Sequence, residues 1–219
     1  MRIGHASIDE RGKISGGNAG DQTKKEVCIR SYYDKNWEYV IRAKDKDIAE
    51  RQAVACEVMC NDDNIGYDQM QRNNLITDLE AVGFDYTKLH KPTECDCSSY
   101  MTACALCAGA KVDYRGNAPT TRSMVTRFRA SGYYEIIPFI SAKHNNLKRG
   151  DILVKQGKHT VMILDDYVQN ISSKSIDQIA REVVAGKYGN EPERKNRIEA
   201  LGYNYSEVKK KVNEIYKKK

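Results

Sequence analysis

A run of apolar residues directly behind an aspartate is the strongest local constraint on this chain. The run is CSSYMTACALCAG, from Cys97 to Gly109, and Asp96 precedes it. An aspartate carboxylate accepts the unpaired N–H groups of a first helical turn, and glycine is favoured where a helix ends. The pattern therefore predicts an apolar helix over about 97–109. Such a helix needs covering elements, and a chain of 219 residues with 40% hydrophobic residues can form an ordinary core around it.

The rest of the N-terminal part predicts a mixture of helices and strands. Apolar spacing and capping residues indicate further helices over 45–60, about 69–81 and from Thr120 or Thr121 to near Gly132. Segments rich in Val, Ile and Tyr indicate strands over 133–137, 151–154 and 159–164. Residues 1–24 are rich in Gly and polar side chains and are interpreted as loop. The predicted fold class is α+β, with helices packed on a small antiparallel sheet.

The character of the sequence changes at about 170–174. Beyond this point apolar residues follow three short helical stripes, which are separated first by Gly186 and Gly189-Asn190 and then by Gly202-Tyr203-Asn204. The pattern predicts a small three-helix bundle over 174–219, behind a domain that spans 1–170.

Seven cysteines raise the question of disulfides or zinc. Their number is odd, the chain is not short and no export signal accompanies them, so a disulfide scaffold is not expected. Cys104 and Cys107 have ligand-like spacing, as do Cys56 and Cys60 more loosely. Both pairs lie in apolar, helix-like segments without a paired His cluster. Buried or half-buried thiols are the better interpretation, and neither a metal nor another cofactor is predicted.

The positive charge is concentrated at the C-terminal end. Residues from Ser172 onward hold 12 Lys and Arg against 7 Asp and Glu, which accounts for +5 of the formal +6. A basic end is compatible with nucleic acid, a membrane surface or an anionic polymer. The sequence shows neither an RNA-binding aromatic motif nor an obvious recognition helix, so nucleic acid is not the expected partner. No segment approaches the roughly 18 apolar residues that span a bilayer, and residues 1–5 lack the apolar run of a signal peptide.

Cys97 is the best candidate for a chemically active residue. It falls in the first turn of the predicted helix, where unpaired N–H groups and the positive end of the helix dipole favour thiolate over thiol. The same N–H groups can hold the oxyanion that forms when a thiolate attacks an acyl carbon. Cys95 lies before the cap and gains less from the helix. Cys97 is therefore the predicted nucleophile.

A thiol nucleophile needs a nearby base, usually a histidine. The chain offers His5, His90, His144 and His159. The last of them opens a predicted strand directly after a glycine-containing turn, where a side chain is fixed in position yet reachable from a cleft. His159 is the predicted base.

The residue that orients this imidazole is predicted to follow the strand. Six residues at roughly 3.3 Å each would place Asp165 about 20 Å from His159, which is too far for contact. Asp165-Asp166 are instead predicted to form a turn, after which the chain runs back antiparallel and brings Gln169 or Asn170 near the start of the strand. Gln169 is the preferred orienting residue and Asn170 the alternative.

These motifs resemble a known group of enzymes. CDCSSYMTACALCAG, then LKRGDIL at 147–153, then HTVM at 159–162 resembles phage peptidoglycan amidases, which belong with the NlpC-type and CHAP papain-like cysteine hydrolases. The resemblance covers about residues 60–170. It implies a papain-like fold, Cys97 as nucleophile, His159 as base and a polar third residue where Gln169 falls, although many relatives carry His there. It also implies that IGYD at 65–68 lines the substrate cleft, where Tyr67 stabilises the oxyanion or the substrate stem; the alternative is a tyrosine that packs on the core at a helix entry. Asp96 and Ser98 are expected to contact substrate as well.

The C-terminal segment resembles a cell-wall-binding repeat of phage lysozymes and amidases. The matching residues are IAREVVAGKYGN at 179–190, followed by Arg194, Arg197 and LGYNY at 201–205. The resemblance implies binding of a muropeptide, a disaccharide with L-Ala and D-isoglutamine. The residues carried over for binding are Gly186, Tyr188, Gly189, Asn190 and Arg194. The family often has Trp where Tyr188 stands.

Together these resemblances imply an endolysin that hydrolyses an amide bond of peptidoglycan, either the N-acetylmuramoyl–L-alanine bond or one within the stem peptide. The expected partner is the bacterial wall, without membrane insertion, and one binding repeat predicts self-association or modest wall affinity. The expected location is the host cytoplasm until a holin opens the membrane, and then the wall. One alternative is a non-catalytic wall-binding protein with a decayed hydrolase fold, against which the presence of both Cys97 and His159 argues. The other is a basic nucleic-acid binder, whose affinity would fall steeply with salt.

Overall fold

The chain forms two compact units, Met1–Tyr167 and Val168–Lys219. The computed structural model describes residues 1–142, 146–166, 174–201 and 203–217. Among the described residues, no helix combines the length and the apolar character that a bilayer crossing requires.

A six-stranded antiparallel sheet forms the centre of the first unit. Its strands are β1 (Arg2–Ala6), β2 (Val27–Ser31), β3 (Tyr39–Ala43), β6 (Tyr134–Pro138), β7 (Ile152–Lys155) and β8 (His159–Ile163). They lie in the order β2-β1-β8-β7-β3-β6, and every neighbouring pair is antiparallel. A separate parallel pair consists of β4 (Ile65–Tyr67) and β5 (Thr93–Cys95).

Helices cover this sheet. They are α1 (Lys46–Met59), α2 (Asn74–Ala81), α3 (Cys97–Cys107), α4 (Met124–Ala130) and α5 (Phe139–Ala142), with a short 3₁₀ helix at Tyr86–Lys88. Every residue of α3 from Cys97 to Leu106 is buried, because α1, α2, β1 and β8 all pack against it. Full burial of a side chain such as Met101 or Leu106 contributes about 1.5–3 kcal/mol. The apolar run thus forms the central helix of the unit.

The two helices with the clearest caps are confirmed. The side chain of Asp45 accepts the N–H of Asp47 at the start of α1, and Asp96 caps α3. The helix expected from Thr120 or Thr121 begins instead at Met124, because the N–H groups of Ser123 and Met124 bond to the Thr120 carbonyl and form a turn first.

The N-terminal part of the chain contributes far more to the sheet than the sequence predicts. The three predicted strands are confirmed as β6, β7 and β8, but β1, β2 and β3 all come from the first 43 residues. The prediction of a loop over 1–24 is therefore wrong at β1, and the sheet is not small. Gly4 on β1 shows why this strand fits, since a Cβ there would overlap the thiol of Cys56 on α1. Only a glycine lets the two elements approach so closely.

The second unit consists of helices around a small apolar cluster. The helices are α6 (Ile176–Val184), α7 (Glu193–Ala200) and α8 (Tyr205–Lys217). Ser175 and Gln178 form a capping box at the start of α6. All three helices contribute to one cluster of buried side chains, Ile179, Ala180, Val183, Ile198, Val208 and Val212.

Candidate functional site

The start of α3 is fixed by a closed set of hydrogen bonds. The Asp96 carboxylate accepts the N–H groups of Ser98 at 3.0 Å and Ser99 at 2.7 Å. The Ser99 hydroxyl accepts the N–H of Asp96 at 2.9 Å. Cys97, between them, is held on the first turn of the helix and is 5% exposed. Because the cap engages two first-turn N–H groups, those groups are not available to an oxyanion as the sequence suggested.

Arg72 secures this cap from the outside. Its Nε lies 2.7 Å from Asp96 Oδ2, and its Nη2 donates to the Ser98 hydroxyl at 3.0 Å. The same guanidinium donates to the carbonyls of Ala118 and Pro119. Loss of one partner from a buried pair of this kind typically costs about 3–5 kcal/mol. Asp96 and Ser98 are buried and bonded to this network, so the structure places them as supports of Cys97, and a direct contact of either with substrate stays a prediction.

Burial, rather than the helix dipole, dominates the acidity of Cys97. It raises the pKa of the thiol to about 12, and the neighbouring Asp96 carboxylate adds to the rise. The backbone N–H groups of Thr160 and Ser98 and the charge of Arg72 act in the opposite direction but do not prevail. The expectation of a thiolate is therefore wrong for the free protein, where Cys97 is a neutral thiol at pH 7.

His159 opens β8 and is 8% exposed. Its ring stacks on the indole of Trp37, with 6.3 Å between centroids and 27° between planes. Burial lowers the pKa of His159 to about 4, and the charges of Lys35 and Arg30 lower it further. The imidazole is consequently neutral at pH 7 and can accept a proton. The next residue, Thr160, directs its N–H to the Cys97 thiol, which places β8 beside the start of α3.

His5 on β1 is the functional candidate that the sequence did not identify. Its Nδ1 lies 3.5 Å from Nε2 of His159, and its Nε2 lies 3.5 Å from Sγ of Cys28. Cys28 in turn donates to the carbonyl of Lys25 at 3.4 Å. His5 is 2% exposed, and burial lowers its pKa to about 3, so it is also neutral.

One arrangement of protons satisfies all of these contacts. When the Cys28 thiol donates to the Lys25 carbonyl, its sulfur accepts the Nε2–H of His5, and Nδ1 of His5 accepts the Nε2–H of His159. In this tautomer the lone pair of His159 is on Nδ1, the nitrogen that could then serve as a base.

Tyr67 forms part of the cleft beside these groups. The cleft has a volume of about 460 Å³, and its lining includes His5, Tyr33, Tyr67, Gln69 and His159. The Tyr67 hydroxyl accepts a hydrogen bond from Gln69 Nε2 at 3.0 Å, so its own O–H remains to donate. Burial raises the pKa of Tyr67, and the nearby Cys97 raises it further. Tyr67 is therefore a neutral hydroxyl close to the thiol.

The polar N-terminal loop has a structural role at this cleft. The Asp21 carboxylate accepts the N–H groups of four residues of the loop, Thr23, Lys25, Glu26 and Val27. The carboxylate of Glu26 accepts the N–H of Tyr67 at 3.0 Å. Ile8 and Ile14 of the same loop line the cleft. The segment for which the sequence offered no role thus builds one wall of the site.

The structure does not test the residues that the sequence predicts to orient His159. Gln169 and Asn170 lie outside the described residues, as does His144, so the orienting role of Gln169 stays a prediction. The signal that could have identified His5 is weak, since it is one of four histidines and its neighbour lies 154 positions away.

The seven cysteines are free thiols. Over residues 1–142, 146–166, 174–201 and 203–217, no group of three or more His, Cys, Asp or Glu side chains converges as a metal site.

In the second unit, the predicted binding residues gather at one turn. Gly186 and Gly189 both have positive φ, +80° and +73°, a conformation that favours glycine. Arg194 donates from Nε to the Gly189 carbonyl at 2.9 Å, and its Nη2 lies 3.5 Å from Asn190 Oδ1. The hydroxyl of Tyr188 donates to Glu182 at 2.8 Å. The turn is therefore held by its own polar side chains, and muropeptide binding by these residues stays a prediction.

Comparison with known proteins gives two family matches. Residues 3–170 match the family model of the endolysin-like domain, and residues 177–216 match that of the CW_7 repeat. No curated protein and no solved structure matches the chain.

Proposed function

The chain belongs to the endolysin-like domain family, and on that premise we propose that it hydrolyses an amide bond of peptidoglycan with Cys97 as nucleophile and His159 as base. The endolysin-like domain and the CW_7 repeat together support a peptidoglycan-targeting endolysin. The observation that carries the catalytic assignment is the position of Cys97 at the start of α3, where the backbone N–H of Thr160, the residue after His159, is directed to its thiol.

The resting site requires a concerted first step. Since the pKa of Cys97 is raised to about 12 and that of His159 is lowered to about 4, the pair is a thiol and an imidazole rather than an ion pair. As Sγ bonds to the substrate carbonyl carbon, Nδ1 of His159 takes the thiol proton. The imidazolium then gives this proton to the leaving amine, and water hydrolyses the thioester.

The tetrahedral intermediate needs hydrogen-bond donors that the cap of α3 does not use. The Tyr67 hydroxyl meets this requirement. It accepts a hydrogen bond from Gln69 Nε2, so its O–H can still donate to an oxyanion in the cleft. His5 holds the imidazole through Nε2 and supplies the third member of the catalytic set. In this proposal His5, which contacts His159, takes the orienting role that the sequence assigned to Gln169.

Several finer assignments are part of the same proposal. A central buried helix that starts at the nucleophile and packs on an antiparallel sheet supports a papain-like domain over 1–170. The shared cluster of α6, α7 and α8 supports a three-helix bundle over 174–219. In that bundle the turn 186–190 and Arg194 would bind the muropeptide, with avidity supplied by self-association. Accumulation in the host cytoplasm and release through a holin follow from the assignment as an endolysin.

The function is tested by product analysis. Purified Gram-positive wall is digested with the chain, and the soluble fragments are identified by mass spectrometry. We expect new L-alanine amino termini, which define an N-acetylmuramoyl-L-alanine amidase. New termini inside the stem peptide would define an endopeptidase. Intact wall from several Gram-positive types would contradict hydrolysis and favour a wall-binding protein.

The acid side of the pH profile is a second test. His159 must be neutral to accept the thiol proton, and its pKa is lowered to about 4 by burial, Lys35 and Arg30. We therefore expect kcat/KM on a soluble muropeptide to fall only as the pH drops through about 4, with activity retained at pH 5. An unperturbed histidine, with a pKa of about 6.5, would already be largely protonated there. An acid limb centred near 6.5 would contradict the neutral, buried imidazole.

A further inference from the structure

The cleft at His159 is lined by cations without carboxylate partners. Arg30, Lys35 and Lys158 all contribute to its lining, and the lining contains neither Asp nor Glu. The three side chains are exposed, and none of them forms an ion pair with a residue that the structure describes. Two cations elsewhere in the same unit, Arg42 and Arg149, are paired with carboxylates. Arg42 lies 2.6 Å from Asp151, and Arg149 lies 2.7 Å from Glu57.

The three cations come from separate elements and converge on one place. Arg30 lies on β2 with its guanidinium carbon 5.2 Å from the centre of the Tyr33 ring. Lys35 follows in the loop before Trp37, and Lys158 immediately precedes His159. The charges of Arg30 and Lys35 both lower the pKa of His5 and of His159. They are therefore close enough to act on a charge at the reacting centre.

The described lining of this cleft supplies no carboxylate to these cations. Cys97 is a neutral thiol, and the nearest carboxylate of α3, Asp96, is already paired with Arg72. A cleft with uncompensated positive charge attracts negatively charged ligands and disfavours cationic ones. An anionic group of a substrate that enters the cleft would meet this positive charge.

We propose that Arg30, Lys35 and Lys158 form a carboxylate-binding subsite, which makes the enzyme selective for stem peptides whose carboxyl groups are free rather than amidated. The inference rests on the proposed function, and it adds the chemical class of the preferred substrate. The carboxylate belongs to the isoglutamyl residue or to the C-terminus of the stem. Either group lies on the same peptide as the scissile amide, so that it can reach a subsite in the same cleft.

The test compares soluble muropeptides that differ only in carboxylate against carboxamide, first at the isoglutamyl position and then at the stem C-terminus. At low salt we expect kcat/KM to favour one of the two free carboxylates by about fivefold for each cation engaged, which is the upper range for an exposed ion pair. The preference should shrink in 0.5 M salt because screening weakens exposed pairs. Lys158→Gln, Lys35→Gln and Arg30→Gln should each reduce it. Lys111→Gln is the matched control, since this exposed lysine lines a separate cleft with Phe84 and Tyr114.

The outcomes separate this inference from the function on which it rests. Equal hydrolysis of all carboxylate and carboxamide pairs at low salt would overturn the subsite and leave the hydrolase intact. Selectivity that survives in all three glutamine variants would also overturn it. If no muropeptide is hydrolysed, the proposed function fails. In that case calorimetric binding of the Cys97→Ala chain to the same pairs still decides whether free carboxylates are preferred.

Discussion

Wall hydrolysis by a Cys97→Ala chain is expected to be slower than that of the parent chain by a factor on the order of 10⁶, the size of effect seen when a covalent nucleophile is removed. In the proposed mechanism the sulfur of Cys97 bonds to the acyl carbon, and alanine offers no substitute for it. Only a small buried group is deleted, so the fold should persist. Release of soluble fragments from purified wall measures the rate, and thermal unfolding checks the structure.

Two comparisons make this result specific. Cys107→Ala removes a half-buried thiol from the other end of α3 and should leave the rate unchanged. Binding of the Cys97→Ala chain to wall should equal that of the parent chain, because the CW_7 repeat at 177–216 lies in the other unit. Full hydrolysis by the alanine variant would remove Cys97 from the mechanism.

The parts of the fold that sequence predicts well are those determined by neighbouring residues. The starts of α1 and α3 follow from Asp45 and Asp96, whose carboxylates bond to N–H groups two or three positions away. The strand β1 is different. It pairs with β8 through Ile3 and Ile163, and nothing near residue 3 indicates that partner. Its alternation is short and lies beside a polar loop, so local patterns favour loop over strand.

In the candidate site, too, features set by neighbouring residues could be predicted and features set by distant partners could not. The positions of Cys97 at the start of a helix and of His159 at the start of a strand could be predicted, because a cap marks the first and a turn marks the second. The contact between His5 and His159 could not, since it depends on the register that sets Gly4 opposite Met162. The acidity of Cys97 was predicted with the wrong sign for a related reason. The helix dipole is a local property, whereas the burial that raises the pKa comes from every element around α3.

The role of His5 leads to the second large effect. In the proposed tautomer, Nδ1 of His5 accepts the Nε2–H of His159 and so keeps the basic lone pair of His159 on its Nδ1. In a His5→Phe chain this acceptor is lost while an aromatic ring of similar size still fills the buried space. The imidazole can then rotate or change tautomer. Misplacement of a catalytic group by about 1 Å can cost about 100-fold in rate, and we expect a loss of kcat of that order with little change in KM, measured on a soluble muropeptide.

His5→Gln separates an orienting role from a merely structural one. A glutamine side-chain oxygen can accept the Nε2–H of His159, although it cannot also reproduce the bond from His5 Nε2 to Cys28. We therefore expect His5→Gln to recover part of the kcat that His5→Phe loses, while both variants have similar unfolding temperatures. If His5 only fills space, phenylalanine should be the better replacement and glutamine the worse. That order of rates would return the orienting role to another residue, with Gln169 and Asn170 as the first to be replaced.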